Sequence, residues 1–404
     1  MPARPAAARA DDAAGDASLD FGPMRPLTTS RGTFANPSNR FGCDYRAEAA
    51  LLGAPPVPVV DVHSHVHGTV AAALLREAMD HYGVARIHSM TRLEDIDGIR
   101  GVLGDRVRFI AVPDFANPDR LAAHGTEFLR RIRDFRREGA SICKFWAAPR
   151  GIDYGIEAGD PRLLALDAPH RRAAMDEAAS LGMAFMVHVA DPDTWFATKY
   201  ADHARYGTKA SHYEPLERLL DEYRVPWIAA HMAGSPEDLD FLDGLLSRHP
   251  NLSIDTSATK WIVREVSRHP AGRVHDFMRR WHGRILFGSD IVTNDDHLRG
   301  GDKPTEMAAK ASDHESAFDL YASRYWALRT LWETAHELES PISDPDLAMV
   351  DPARSALDAP ALRGKALPRE VMAEFYAGAA SRLAGEAVPG APDASPAPVA
   401  PAAN

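Results

Sequence analysis

Eight short β-branched runs, each followed by a stretch with helical character, constrain this chain more than any other feature. They fall at 57–62, 84–87, 107–112, 140–145, 183–189, 225–230, 252–254 and 284–287. Between them, Leu216, Leu219, Leu220 and Tyr223 follow i, i+3, i+4, i+7 spacing, with Pro215 suited to a first helical turn. Leu239, Leu242 and Leu246 repeat the pattern behind Ser235-Pro236, a cap followed by a helix-start proline. Leu121, Phe128, Leu129, Ile132 and Phe135 do so more loosely, and a long helix is expected over 314–338. Parallel strands need helical crossovers, so this order predicts an α/β chain folded as a (β/α)8 TIM barrel. A doubly wound sheet is the alternative. The barrel carries a demand of its own: functional groups should sit at the C-terminal ends of strands.

Composition sets the limits. The chain divides into an N-terminal extension over 1–50, the barrel with extra closing helices over 57–385, and a Pro/Ala-rich tail over 388–404. The Ala-rich lead over 1–20 lacks an apolar core and carries several Asp, so it and the tail read as disordered. A net charge of −11 argues against a nucleic-acid surface or a basic membrane patch. No run approaches the roughly 18 apolar residues of a membrane span. The two cysteines, Cys43 and Cys143, form no CxxC site, which favours a reducing, cytoplasmic setting.

The barrel's demand is met repeatedly. Asp61-Val62-His63-Ser64-His65 ends the first strand, and strand periodicity puts Asp61, His63 and His65 on one face. A strand that gives inward positions to polar groups forgoes apolar packing, and neutral imidazoles can hold Zn²⁺. The competing reading is a polar strand end with hydrogen-bonded histidines. His188 ends the fifth strand, His231 follows the sixth and Asp290 follows the eighth. Four histidines and a carboxylate are thus expected to converge at one mouth.

On these motifs the chain resembles the metal-dependent amidohydrolase superfamily, and more closely its aminocarboxymuconate-semialdehyde-decarboxylase-like branch. The resemblance covers roughly 57–385 and rests on Asp61-Val62-His63-Ser64-His65, His188, Ala230-His231-Met232-Ala233-Gly234 and Phe287-Gly288-Ser289-Asp290. The run from Asn251 to Ser257 fits more weakly. The segment from Leu367 to Leu383 looks like the helix that closes these barrels. The resemblance implies one divalent metal, usually Zn²⁺, on His63, His65, His188 and Asp290, with His231 activating or orienting water. Mn²⁺, Fe²⁺ and Co²⁺ suit the same ligands. Ala233 stands where the pattern has a first glycine, Ala379 where it commonly has asparagine, and Ile291-Val292 where it has an aromatic-proline pair.

Two reactions on a small-molecule substrate follow. In the first, metal-activated water hydrolyses a C–N or C–O bond of a small carbonyl compound, with Asp290 and His231 catalytic. In the second, an unsaturated or aromatic acid loses CO₂, which needs a cationic clamp. Arg150, after strand four, is either that clamp or a solvated loop arginine. A third reading is a non-catalytic barrel used as a binding module. Lys144 is either a carboxylated lysine bridging a second metal, as in some superfamily members, or a lysine packed along its stem. Trp195, Phe196, Lys199, Tyr200, Tyr206, Lys209 and Tyr213 form either a lid over the mouth or an amphipathic surface loop. Of these, Trp195, Lys199 and Tyr200 are candidate substrate contacts. Asp255 caps a turn or supports a ligand histidine. Tyr321, Tyr325, Trp326 and Trp332 form either a homodimer face or packing on the barrel.

Overall fold

Each of the eight expected runs is a strand in the computed structural model, which describes residues 26–29, 36–300, 307 and 309–385. They are β1 (Val59–Val66), β2 (Val84–Ser89), β3 (Val107–Ala111), β4 (Ile142–Trp146), β5 (Ala184–His188), β6 (Trp227–Ala229), β7 (Leu252–Asp255) and β8 (Ile285–Leu286). A ninth, β9 (Ile291–Thr293), was not legible in the sequence. All pair in parallel, in the order β8-β7-β6-β5-β4-β3-β2-β1-β9. β8 and β9 are two halves of one eighth strand: β8 pairs with β7, then β9 pairs with β1. Between the halves, the Val62 N–H donates to the Phe287 carbonyl and the Asp290 N–H to the His63 carbonyl, closing the barrel. The expected disordered lead and tail lie outside the described residues.

The strands read as near-continuous apolar runs because helices cover their outer face while side chains fill the barrel. Phe145, Phe185 and Trp227 are fully buried on three successive strands. Their rings meet edge to face at 5.3 and 4.9 Å, a geometry that adds roughly 0.5–1.5 kcal/mol per pair beyond burial.

The helices depart from the sequence pattern in three places. The helix Lys209–Glu222 begins well before Pro215, with the Thr208 hydroxyl accepting from the Ser211 N–H, so Pro215 lies inside it. The helix Leu239–Arg248 is capped by Asp238 rather than Ser235, because residues 231–234 form a left-handed turn that the chain must leave first. The long helix His314–Glu333 stops short of Leu338, which instead joins a small antiparallel pair, Glu337–Glu339 with Ala361–Arg363. Its terminal carbonyls find donors in the returning chain: Lys365 to Leu331, Leu367 to Trp332 and Ala366 to Thr334. Tyr321, Tyr325, Trp326 and Trp332 are all buried in the chain's own core.

The C-terminal segment is helical through Arg369–Ala373, a single π-turn at Glu374–Gly378 and Ala379–Ala384. The Phe375 carbonyl accepts from the Phe287 N–H just beyond β8. Among the described residues, no helix is long and apolar enough to cross a membrane.

Candidate metal centre

β1 places His63 and His65 beside Asp290, which sits in the break between β8 and β9. Asp290 has φ 60°, a left-handed conformation that Asp tolerates better than most residues. Its Oδ1 lies 3.5 Å from His63 Nε2 and 3.2 Å from His65 Nε2. Donors about 2.1 Å from a shared tetrahedral centre stand about 3.4 Å apart, so these spacings fit a single cation. One donor atom from each of the three residues lies within 4.8 Å of the others.

The surrounding groups orient the trio. His63 donates from Nδ1 to Asp255 Oδ2 at 2.9 Å, which turns its Nε2 toward Asp290. Asp255 Oδ1 accepts from the His231 N–H at 2.9 Å, the Ser257 N–H at 3.0 Å and the Ser257 hydroxyl. With its proton given to Asp255, the Ser257 hydroxyl accepts from His231 Nδ1 at 2.7 Å. That wiring assigns the Nδ1–H tautomer to His231 and leaves Nε2 as a lone-pair acceptor lining the cavity. His63, His231 and Asp255 also stand close enough to hold a metal, but their facing atoms are spent on one another and on Ser257.

Burial sets the charge states. It lowers the pKa of His63, with the Lys144 charge adding to the effect, and lowers His231 further below its usual range. Both imidazoles are neutral at pH 7, as metal ligation and proton acceptance require. Burial opposes ionisation of Asp290 and Asp255, yet His65 and His63 hold Asp290 well below the usual carboxylate range, and His63 does the same for Asp255. The Lys144 ammonium, 3.5 Å from His63 Nε2, is lowered to about 8 by burial, against the pull of Asp255 and Asp290.

Not every expected residue joins this cluster. β1 is irregular between Asp61 and Ser64, so simple alternation fails, and Asp61 does not face the metal donors. Its carboxylate accepts from the Ser289 N–H and hydroxyl, the His63 N–H and the Tyr325 hydroxyl. His188 stands apart from the trio, its Nε2 bound to Asp191 at 2.7 Å and its ring 4.5 Å from that of His231. Tyr200 donates to the same Asp191 at 2.5 Å, so it buttresses His188 and does not line the cavity. Lys199 stands 3.9 Å over the Trp195 ring and is also absent from the lining.

The trio opens into a cavity of about 820 Å³, within the range of small-molecule sites. His188, His231 and Lys144 line it, as do Trp195 and Arg150, whose guanidinium sits 5.4 Å over Trp146. The sequence reading missed Asp191, Ser257, Lys260, Trp261, Arg324 and Asp346. Asp191 follows a strand end, as do Lys260 and Trp261 at a greater distance, and that position was their only signal, whereas Ser257 also ends the run from Asn251 that fits the resembled pattern. Asp346 accepts from the indole N–H of both Trp195 and Trp261, at 2.7 and 2.8 Å, pinning two walls of the cavity with one carboxylate.

No family model and no curated protein matches the chain. Solved structures do. A 2,6-dihydroxybenzoate decarboxylase complexed with 2,6-dihydroxybenzoate is 16% identical, covering 66% of this chain and 98% of that one, at a TM-score of 0.38. A 5-carboxyvanillate decarboxylase from Novosphingobium aromaticivorans, complexed with manganese and a nitrobenzoic acid, is 10% identical over 83% and 97%, at 0.42. An amidohydrolase from Burkholderia multivorans with bound HEPES is 9% identical over 82% and 100%, at 0.38. These come from the superfamily that the strand-end motifs resemble, at identities and TM-scores too low to place this chain within it.

Proposed function

We propose that this chain is a metal-dependent enzyme that hydrolyses a C–N or C–O bond of a small carbonyl compound. The observation that carries the reading is the spacing of His63, His65 and Asp290 around one point at the floor of the cavity. Two imidazoles and an ionised carboxylate suit a divalent cation, with Zn²⁺ first and Mn²⁺, Fe²⁺ or Co²⁺ as alternatives. Such a cation would supply Lewis acidity and make water acidic enough to react near neutral pH.

The chain's own residues do the rest. Asp255 keeps His63 in the tautomer that presents Nε2. His231, neutral and with a free Nε2, accepts a hydrogen bond from the attacking water and aims it. Asp290 receives the proton and returns it to the leaving group. Metal analysis of the purified chain tests this: about one divalent ion per chain is expected. Reconstituted protein should then turn over members of a panel of amides and lactones. Failure to bind stoichiometric metal overturns the reading.

Decarboxylation of an unsaturated or aromatic acid is the second reading, favoured by one specific observation. Arg150, Lys260 and Arg324 line the cavity, and none has a carboxylate partner among the described residues. CO₂ release from unsaturated and aromatic acids, assayed beside the amide and lactone panel, separates the two reactions.

A further inference from the structure

We propose that Lys260 and Arg324 form an anion subsite in this cavity, so that the substrate carries an oxyanion group, such as a carboxylate, separate from the group presented to the metal. The inference rests on the cavity being the substrate site, as argued above.

The two cations come from distant elements. Lys260 lies on the helix Thr259–Val266 after β7, and Arg324 on the long helix His314–Glu333. Both line the cavity. Their charges act on each other: Arg324 is the main charge that disfavours the Lys260 ammonium, beyond burial itself. Two like charges sharing a wall are unfavourable unless something opposite offsets them.

The nearby acids Asp344 and Asp346 favour the Lys260 ammonium only at a distance, because each is bound directly to another partner. Asp344 Oδ2 is bound to Arg264 at 2.5 Å. Asp346 Oδ2 serves the Trp195 and Trp261 indoles and stands 3.5 Å from Arg264. Neither forms an ion pair with Lys260. Arg324 donates from Nη1 to the Ser38 and Ser323 hydroxyls, both at 2.8 Å, which orient the guanidinium without neutralising it. The acids that line the cavity are likewise engaged. Asp290 holds His65, Asp191 holds His188 and Tyr200, and Asp114 closes its own turn by accepting from the Ala116 N–H. Neither cation of this wall therefore has a carboxylate paired directly with it among the described residues. Charge-assisted hydrogen bonds from an ammonium and a guanidinium match an oxyanion.

Calorimetric titration of the full chain with benzoate, isophthalate and terephthalate tests the proposal. At least one dicarboxylate should bind about tenfold or more tightly than benzoate, as one added charge-assisted contact gives. Lys260→Met should remove that advantage, whereas Lys260→Arg should keep it. Arg324→Met should repeat the loss. Equal binding of all three acids, no dicarboxylate binding, or an advantage that survives Lys260→Met would overturn the subsite. Repeating the titrations on chelator-treated protein keeps the two ideas apart. If metal removal changes nothing, the metal reading fails, and the subsite is still judged by Lys260→Met.

Discussion

The Asp255 carboxylate holds His63 Nδ1 at 2.9 Å, and both side chains are closed to solvent. The pair decides which imidazole nitrogen faces Asp290, because the acidic acceptor fixes the proton on Nδ1. The same carboxylate anchors the His231 backbone and the Ser257 hydroxyl, so one buried acid positions both functional histidines.

Asp255→Asn tests that role. An amide can present its N–H₂ to His63 Nδ1 and move the imidazole proton to Nε2, where it blocks ligation. Metal affinity should fall about 10–100-fold, read by competition with a chelator of known strength. Unchanged affinity would assign Asp255 a purely structural place.

His231→Asn removes the Nε2 acceptor while suiting the backbone, since His231 has φ 59° and Asn tolerates that region. Activity on any substrate found in the panel should drop by about 100-fold or more, with metal content intact. Turnover at the wild-type rate would take His231 out of the mechanism.

The turn that carries His231 is itself a target. His231, Met232, Ala233 and Gly234 all have positive φ, and each non-glycine residue there costs roughly 1–2 kcal/mol. A Cβ on Gly234 would stand 2.0 Å from the Ala190 carbonyl oxygen. Gly234→Ala should therefore lower stability by more than about 2 kcal/mol and disturb both His231 and Asp191. Ala233→Gly, by contrast, should change stability by less than about 1 kcal/mol. Thermal melts of the two variants give the comparison.

Asp319 offers a pH test away from the site. Burial pushes its carboxyl up to about 6, against the hydrogen bond from the Asn39 amide. Its unfolded value is near 3.9. The folded state thus binds the extra proton between these values, and stability falls as pH rises from about 4 to about 6. Asp319→Asn should stabilise the chain by about 1–3 kcal/mol at pH 8, with the gain vanishing below pH 4. Urea unfolding of both proteins across that range is the measurement.

Much of the architecture was legible because it depends on local pattern. The β-branched runs are strands since each is buried on both sides, and every one of the eight appears. The helix starts were less legible. Pro215 and Ser235-Pro236 carry start signals, but Thr208 and Asp238 are the caps, because tertiary contacts choose among competing local signals. At the site, the structure gathers His63, His65 and Asp290, sets His231 beside them, and turns His188 to Asp191. Asp61 was misplaced by strict alternation, which an irregular β1 breaks.

Residue type and spacing along the chain were enough to name the barrel and the strand ends where polar groups gather, since strand periodicity and helical crossovers are short-range consequences of order. Which atoms meet is another matter. The Asp255–His63 contact joins residues 192 apart in sequence, Asp346 reaches two indoles from outside the barrel, and Arg324 enters the cavity from a helix after it. Barrel closure through the broken eighth strand brings these groups together, and no local pattern records a distance that only closure creates.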